Sequence, residues 1–244
     1  MGKQTESTLY ILRDELLPSF WKKYEKSHDF DREAVAITKT HPLILHAEES
    51  GLKKIIRKRE KDLLAKDSNY AESLRIRTVG DWIAEWKEMH NLLYSEVFPP
   101  GPNRGAIRDI DVRFGGPGED ELFCIPKKQA VNSEVNELAY KMKELLTRDR
   151  ETIDDTCLIL AEIHYQFVRI HPFRDGNGRL ARVLTDQVCQ YFNLPPAMGG
   201  YPRHNANQQK DYHKAIRNCA ETHQYDLLAS WIKKYVDASI HKTA

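Results

Sequence analysis

The chain has 244 residues, 41% of them hydrophobic and 30% charged, which is enough to bury a core in one domain with room for a helical appendage. Lysine and arginine total 37 against 36 for aspartate and glutamate, so net charge offers no case for nonspecific binding to nucleic acid or to a membrane surface. Cys124, Cys157, Cys189 and Cys219 lie far apart with no Cys-x-x-Cys pair, a pattern of reduced thiols in packed helices; with a polar N-terminus and short apolar runs, it points to the cytoplasm, delivery to another cell aside.

In chain order, Leu9, Leu12, Leu16, Phe20 and Tyr24 recur at helical spacing, with Pro18 starting, kinking or dividing a helix there. Residues 31–65 suggest two helices flanking Pro42, and the basic stretch Lys53 to Lys61 reads as a solvated helix face. Residues 79–93 are rich in apolar and aromatic residues, including Trp82 and Trp86, and predict a core helix. The run Gly105 to Phe114, with alternating residues from Asp109, then a Gly-Gly-Pro-Gly turn at 115–118 and Glu121 to Ile125, predicts a β-hairpin. Leu158, Ile159, Ile163, Phe167 and Ile170 form a helical stripe that ends at His171, because Pro172 disfavours helical geometry in the residue before it. Leu180, Val183, Leu184, Val188 and Phe192 predict a further helix opening at Gly178 or Arg179. A loop marked by Pro195-Pro196 and Gly199-Gly200 leads to two more helices over 205–219 and 225–240.

The segment His-Pro-Phe-Arg-Asp-Gly-Asn-Gly-Arg-Leu-Ala-Arg at 171–182 therefore discharges onto a helix N-terminus. Backbone N–H groups and the positive end of the helix dipole favour an anion there, and Gly176, Asn177 and Gly178 would let phosphate oxygens come close. Arg179 and Arg182, three apart, can reach the same side and grip further phosphates. Polyphosphate arrives with Mg2+, and Asp175 is the loop's carboxylate for that ion. An unperturbed imidazole titrates near neutrality, so His171 is the loop's candidate to take a proton from an incoming hydroxyl. Nucleotidyl transfer uses all these parts. The plain alternative is a helix-turn-helix corner in which Asp175 caps, the arginines are solvated and His171 is a packed interior histidine.

This segment resembles the signature of the Fic family, His-x-Phe-x-(Asp/Glu)-Gly-Asn-Gly-Arg-x-x-Arg, with every specified position met. The resemblance implies a mainly α fold: a helical bundle with a small β-hairpin flap near the active site. It implies an N-terminal helical region over 1–78, a Fic core over 79–195 with its flap at 105–126, and C-terminal helices over 196–244 completing the domain. The implied activity is transfer of AMP from ATP to a serine, threonine or tyrosine hydroxyl of a protein. In that scheme His171 is the base, Asp175 the magnesium ligand and Phe173 an apolar anchor for the loop. Asn177 with the backbone of Gly176 and Gly178 holds the α-phosphate, while Arg179 and Arg182 hold the outer ones. His90, on the helix that opens the core, is structural by the same resemblance, and Arg174 sits at a variable position. The flap, with Arg108, Ile110 and Val112, would dock the target as an added strand. Tyr212, with Asn205 or Asn207, is the candidate for the nucleoside pocket, against ordinary packing.

Many Fic proteins restrain themselves with Ser/Thr-x-x-x-Glu-Gly/Asn, whose glutamate meets the second signature arginine. No stretch here satisfies that motif. The nearest, Leu45 to Ser50 within a candidate regulatory helix near 43–60, keeps only Glu49, which a plain surface glutamate would equally explain. Constitutive activity, a small inhibitory partner and homo-oligomerisation stay open. So do removal of AMP, another donor such as UTP, and a noncatalytic nucleotide-binding or interaction module.

Overall fold

The computed structural model describes residues 9–12, 34–37, 73–95, 98, 100–112, 122–198, 201 and 206–243. Two short strands, β1 (Leu9–Leu12) and β2 (Ala34–Ile37), pair antiparallel with Leu9 opposite Ile37. The helix expected from Leu9 onward is thus corrected at its start: Leu-Tyr-Ile-Leu is short and apolar, and periodicity alone does not separate helix from strand over so few residues. Most of 31–65, including Glu49 and the basic stretch, lies outside the described residues.

The remaining long elements are helical: α1 (Val79–Tyr94), α2 (Lys128–Thr147), α3 (Ile153–Ile170), α4 (Asn177–Tyr191), α5 (Ala206–Thr222) and α6 (Asp226–Thr243). Capping boxes start α1 and α3. Thr78 Oγ1 accepts from the Asp81 N–H while Asp81 accepts from the Thr78 N–H, and Thr152 and Asp155 repeat the arrangement. Both caps lie in the sequence as Thr-x-x-Asp ahead of an apolar run.

Helix α3 is the axis of the core. It packs on α2, α4 and α6, and twelve of its residues are buried, so its stripe widens to nearly the whole circumference. Glu162 is tolerated inside this helix because Lys141 and Arg148 pair with it at 2.5 and 2.9 Å. Helix α1 covers α2 and α4, and the T-shaped contact of Trp86 with Phe167, 5.4 Å between centroids, fixes it against α3. Helix α2 is not among the sequence expectations. Val131, Val135, Leu138, Met142 and Leu145 at spacings of four, three, four and three were its available signal.

The expected hairpin between α1 and α2 is not confirmed. Its described parts, 105–112 and 122–125, form no strand ladder, while the turn at 115–118 lies outside the described residues. Polar groups of the first arm are bonded elsewhere: the Arg108 N–H donates to the Pro172 carbonyl at 2.8 Å, and Asp111 accepts from the first N–H of α2 at 2.8 Å. The alternation that suggested a strand survives as exposure, with Asp109 and Asp111 exposed and Ile110 and Val112 half-buried.

Candidate active site

His171 ends α3 in a left-handed conformation, φ 52° and ψ 58°. A β-carbon makes that region unfavourable by roughly 1 kcal/mol or more, so the surroundings must hold it. They do so from two sides. The His171 N–H donates to the Phe167 carbonyl at 3.2 Å, and the ring Nδ1 lies 2.8 Å from the Val168 carbonyl. A carbonyl only accepts, so Nδ1 carries the proton and the basic lone pair belongs to Nε2. The arrangement selects a tautomer as well as an orientation.

From His171 the chain turns through a loop anchored at Phe173, which is fully buried and stacks on the His90 ring at 4.2 Å with planes 13° apart. His90 Nδ1 accepts from the Gly105 N–H, so its Nε2 is the protonated nitrogen and donates to the Asp175 carbonyl at 3.0 Å. Burial lowers the His90 pKa to about 4, which keeps the ring neutral and this donor–acceptor order intact. The Asp175 backbone is thus held from beneath by α1. The Asp175 side chain is half-buried and belongs to the same loop as His171, four residues on.

Gly176 follows with φ 75°, and a β-carbon there would overlap Tyr94, 2.6 Å from Cζ. Both the conformation and the close approach require glycine. Helix α4 starts at the next residue, and its cap residue, Gly176, has no side chain to offer its first N–H groups. Most helix starts use the cap residue's side-chain oxygen there, as α1 and α3 do, and a glycine cannot. Asn177, expected to touch the α-phosphate, does something else with its side chain. It is buried, accepts from the Phe173 N–H at 2.8 Å and donates to the Phe173 carbonyl at 2.8 Å, pinching the loop shut. Its observed contribution is to the shape of the loop.

Arg179 and Arg182 are both half-buried on the first turns of α4. The Arg182 guanidinium carbon lies 4.3 Å from the centre of the Tyr201 ring. Beneath it runs a buried chain that sequence reasoning missed. Thr185 donates to the Ala181 carbonyl at 2.8 Å, so its oxygen accepts from His164 Nδ1 at 2.9 Å, and His164 Nε2 accepts from the Tyr212 hydroxyl at 2.8 Å. Burial, then the charge of Arg182, lowers the His164 pKa to about 3, so the ring stays neutral. Tyr212 is buried and its ring packs on Tyr201 and Trp231, so it is corrected from nucleoside pocket to core. Asn205 lies outside the described residues, and Asn207 falls on α5 without a described side chain.

Arg108, expected on the docking edge, is turned inward and is 2% exposed. Its guanidinium donates to the carbonyls of His171, Ile110 and Pro126 at 2.7 Å each, and to that of Ile170 at 3.3 Å. The variable-position Arg174 also reaches this segment, donating to Asn103 at 3.1 Å and pairing with Asp109 at 2.7 Å. Residues 103–110 are therefore strapped to the signature loop, and Arg108 also holds the Ile110 carbonyl.

The sequence pattern of the Fic/DOC family matches residues 83–189, a stretch from within α1 to within α4 that carries His90, Arg108 and the whole 171–182 loop. Over that stretch the chain resembles the Fic/DOC family. The protein adenylyltransferase Fic of Drosophila yakuba is 26% identical over 149 residues, 59% of this chain and 26% of its own length. A uridine 5'-monophosphate transferase of Xanthomonas campestris pv. campestris is 49% identical over 37 residues, 15% of this chain and 7% of its own length. Among solved structures, Fic-1 (residues 134–508) of Caenorhabditis elegans superposes with a TM-score of 0.56 at 20% identity, covering 77% of this chain and 49% of that one, which shows the shared fold. The chain thus corresponds to about half of that solved protein, and the curated relatives are matched over about a quarter of their length or less. Among the described residues no helix is long and apolar enough to cross a membrane.

Proposed function

We propose that this Fic-like domain transfers a nucleoside monophosphate, AMP from ATP in the first instance, to a hydroxyl side chain of another protein. The observation that carries the reading is that one short loop joins His171, its basic lone pair on Nε2, to the N-terminus of α4, whose cap is a left-handed glycine. His171 Nε2 takes the proton of the incoming hydroxyl, whose oxygen bonds to the α-phosphorus. The bond from that phosphorus to the α,β-bridging oxygen breaks, and pyrophosphate leaves. Backbone N–H groups at 176–178 receive the α-phosphate, and Arg179 and Arg182 hold the charge beyond it.

The donor set fits magnesium. Among the described residues no three His, Cys, Asp or Glu side chains gather as a ligand cage, and Asp175 is one carboxylate beside a phosphate cradle, which is the coordination Mg2+ favours. Bound there, the ion would neutralise phosphate charge and polarise the phosphorus under attack. The target docks, in this reading, along Ile110 and Val112, close to the base.

A second reading concerns the donor. The 37-residue similarity to a uridine 5'-monophosphate transferase supports UTP, since the cradle contacts what all nucleotides share. Incubation with ATP or UTP labelled in either the α- or the γ-phosphate, in the presence of Mg2+ and candidate targets, tests both. Label on protein from the α-position alone is expected, and the better base names the donor. Label from the γ-position would replace nucleotidyl transfer with phosphoryl transfer.

A further inference from the structure

The last carbonyls of a helix have no partner within it, and at the end of α3 they are answered in an unusual way. His171 takes two of them itself, the Phe167 carbonyl with its N–H and the Val168 carbonyl with its ring. Further on, the carbonyls of Ile170 and His171 both go to the guanidinium of Arg108, whose own N–H takes the Pro172 carbonyl. Three successive carbonyls around the catalytic candidate are thus held by one residue from a segment sixty-odd positions earlier in the chain. The same guanidinium holds Ile110 on one side of the connection to α2 and Pro126 on the other.

Two physical points make this more than packing. His171 sits in a left-handed conformation that a residue with a side chain adopts only when its neighbours impose it, and the His171 carbonyl bond to Arg108 is the contact that fixes the peptide plane following that residue. A buried cation at a helix C-terminus is also favourable against the dipole, and a planar fork of five N–H donors meets several carbonyls at once, which an ammonium point charge does not.

From this geometry we infer that Arg108 is a positioning residue for the base: it holds His171 in the backbone conformation that binds Nδ1 to Val168 and aims Nε2 at the substrate hydroxyl, and it ties that setting to the target-docking segment at Ile110. The inference rests on the proposed transfer reaction for its kinetic consequence, but its structural content stands without it.

The test uses the full chain with Arg108→Lys and Arg108→Ala. Nitrogen-15 NMR of the His171 ring should show the Nδ1-protonated tautomer in the unaltered protein and a shift toward the Nε2-protonated form in both variants. Nucleotide affinity should change by no more than about twofold in Arg108→Lys, while kcat falls about tenfold or more, a loss on the scale that general-base positioning contributes. An Nε2-protonated ring in the unaltered protein, or an unchanged tautomer and kcat in a folded Arg108→Lys, would overturn the inference. So would a parallel loss of nucleotide affinity, which would make Arg108 a support for the whole loop. If the unaltered protein transfers nothing, the proposed function fails, while the ring tautomers still decide the role of Arg108.

Discussion

At Gly176 a single hydrogen atom in place of a side chain decides whether the proposed phosphate cradle can form. The residue is held at φ 75° against the Tyr94 ring, so Gly176→Ala meets both a conformational penalty and an overlap with a ring that is itself buried. We expect that variant to lose about 2–4 kcal/mol in chemical denaturation, the range for overpacking combined with backbone strain, and to lose nucleotide binding with it. Retained stability would mean that the ring yields and the close approach carries no constraint. His90 and Asn177 work at the same scale. Neither points at the anion, yet each ties a backbone group of the loop, at Asp175 and Phe173, and so shapes the cradle from behind.

Helix α4 contributes its dipole and its first turns, and the question at this scale is what aims Arg182. The Tyr212–His164–Thr185 chain supplies an answer, because it fixes the floor beneath the arginine while Tyr201 packs on its guanidinium. Tyr212→Phe leaves His164 Nε2 buried without its donor, which should cost about 1–3 kcal/mol of stability and raise KM for the nucleotide with little change in kcat. A fall in kcat at unchanged KM would place the tyrosine nearer the chemistry than its burial indicates. Much of this was legible beforehand, and the reasons are local. Helices α1, α3, α4, α5 and α6 carry strong apolar periodicity, and the loop at 171–182 puts every chemical group within twelve residues. What escaped depended on contacts distant in sequence. Arg108 and Tyr212 are residue types that serve equally at a surface, a pocket or a core, and only their partners, 63 and 48 positions away in His171 and His164, settle which. The hairpin is unconfirmed for a related reason: alternation records which side chains face inward, but the described polar groups of the first arm go to Pro172 and to α2.

Across the whole molecule, the layout separates two jobs. The α3 axis, packed by α2, α4 and α6, fixes His171 and the cradle to the most buried part of the bundle, whereas the segment over 103–112 lies at the surface and is fastened to the site by Arg108, Arg174 and the Gly105–His90 bond. A rigid site with a strapped edge suits chemistry on a side chain presented by another protein, since the target can vary while the reacting geometry does not. The direct measurement is transfer of α-phosphate label to protein by the unaltered chain beside His171→Ala, with nucleotide affinity determined for both. The account predicts near-complete loss of transfer, about 100-fold or more, at an affinity unchanged within a few-fold. Equal labelling by the two proteins would contradict it, because the imidazole would then have no part in the reaction.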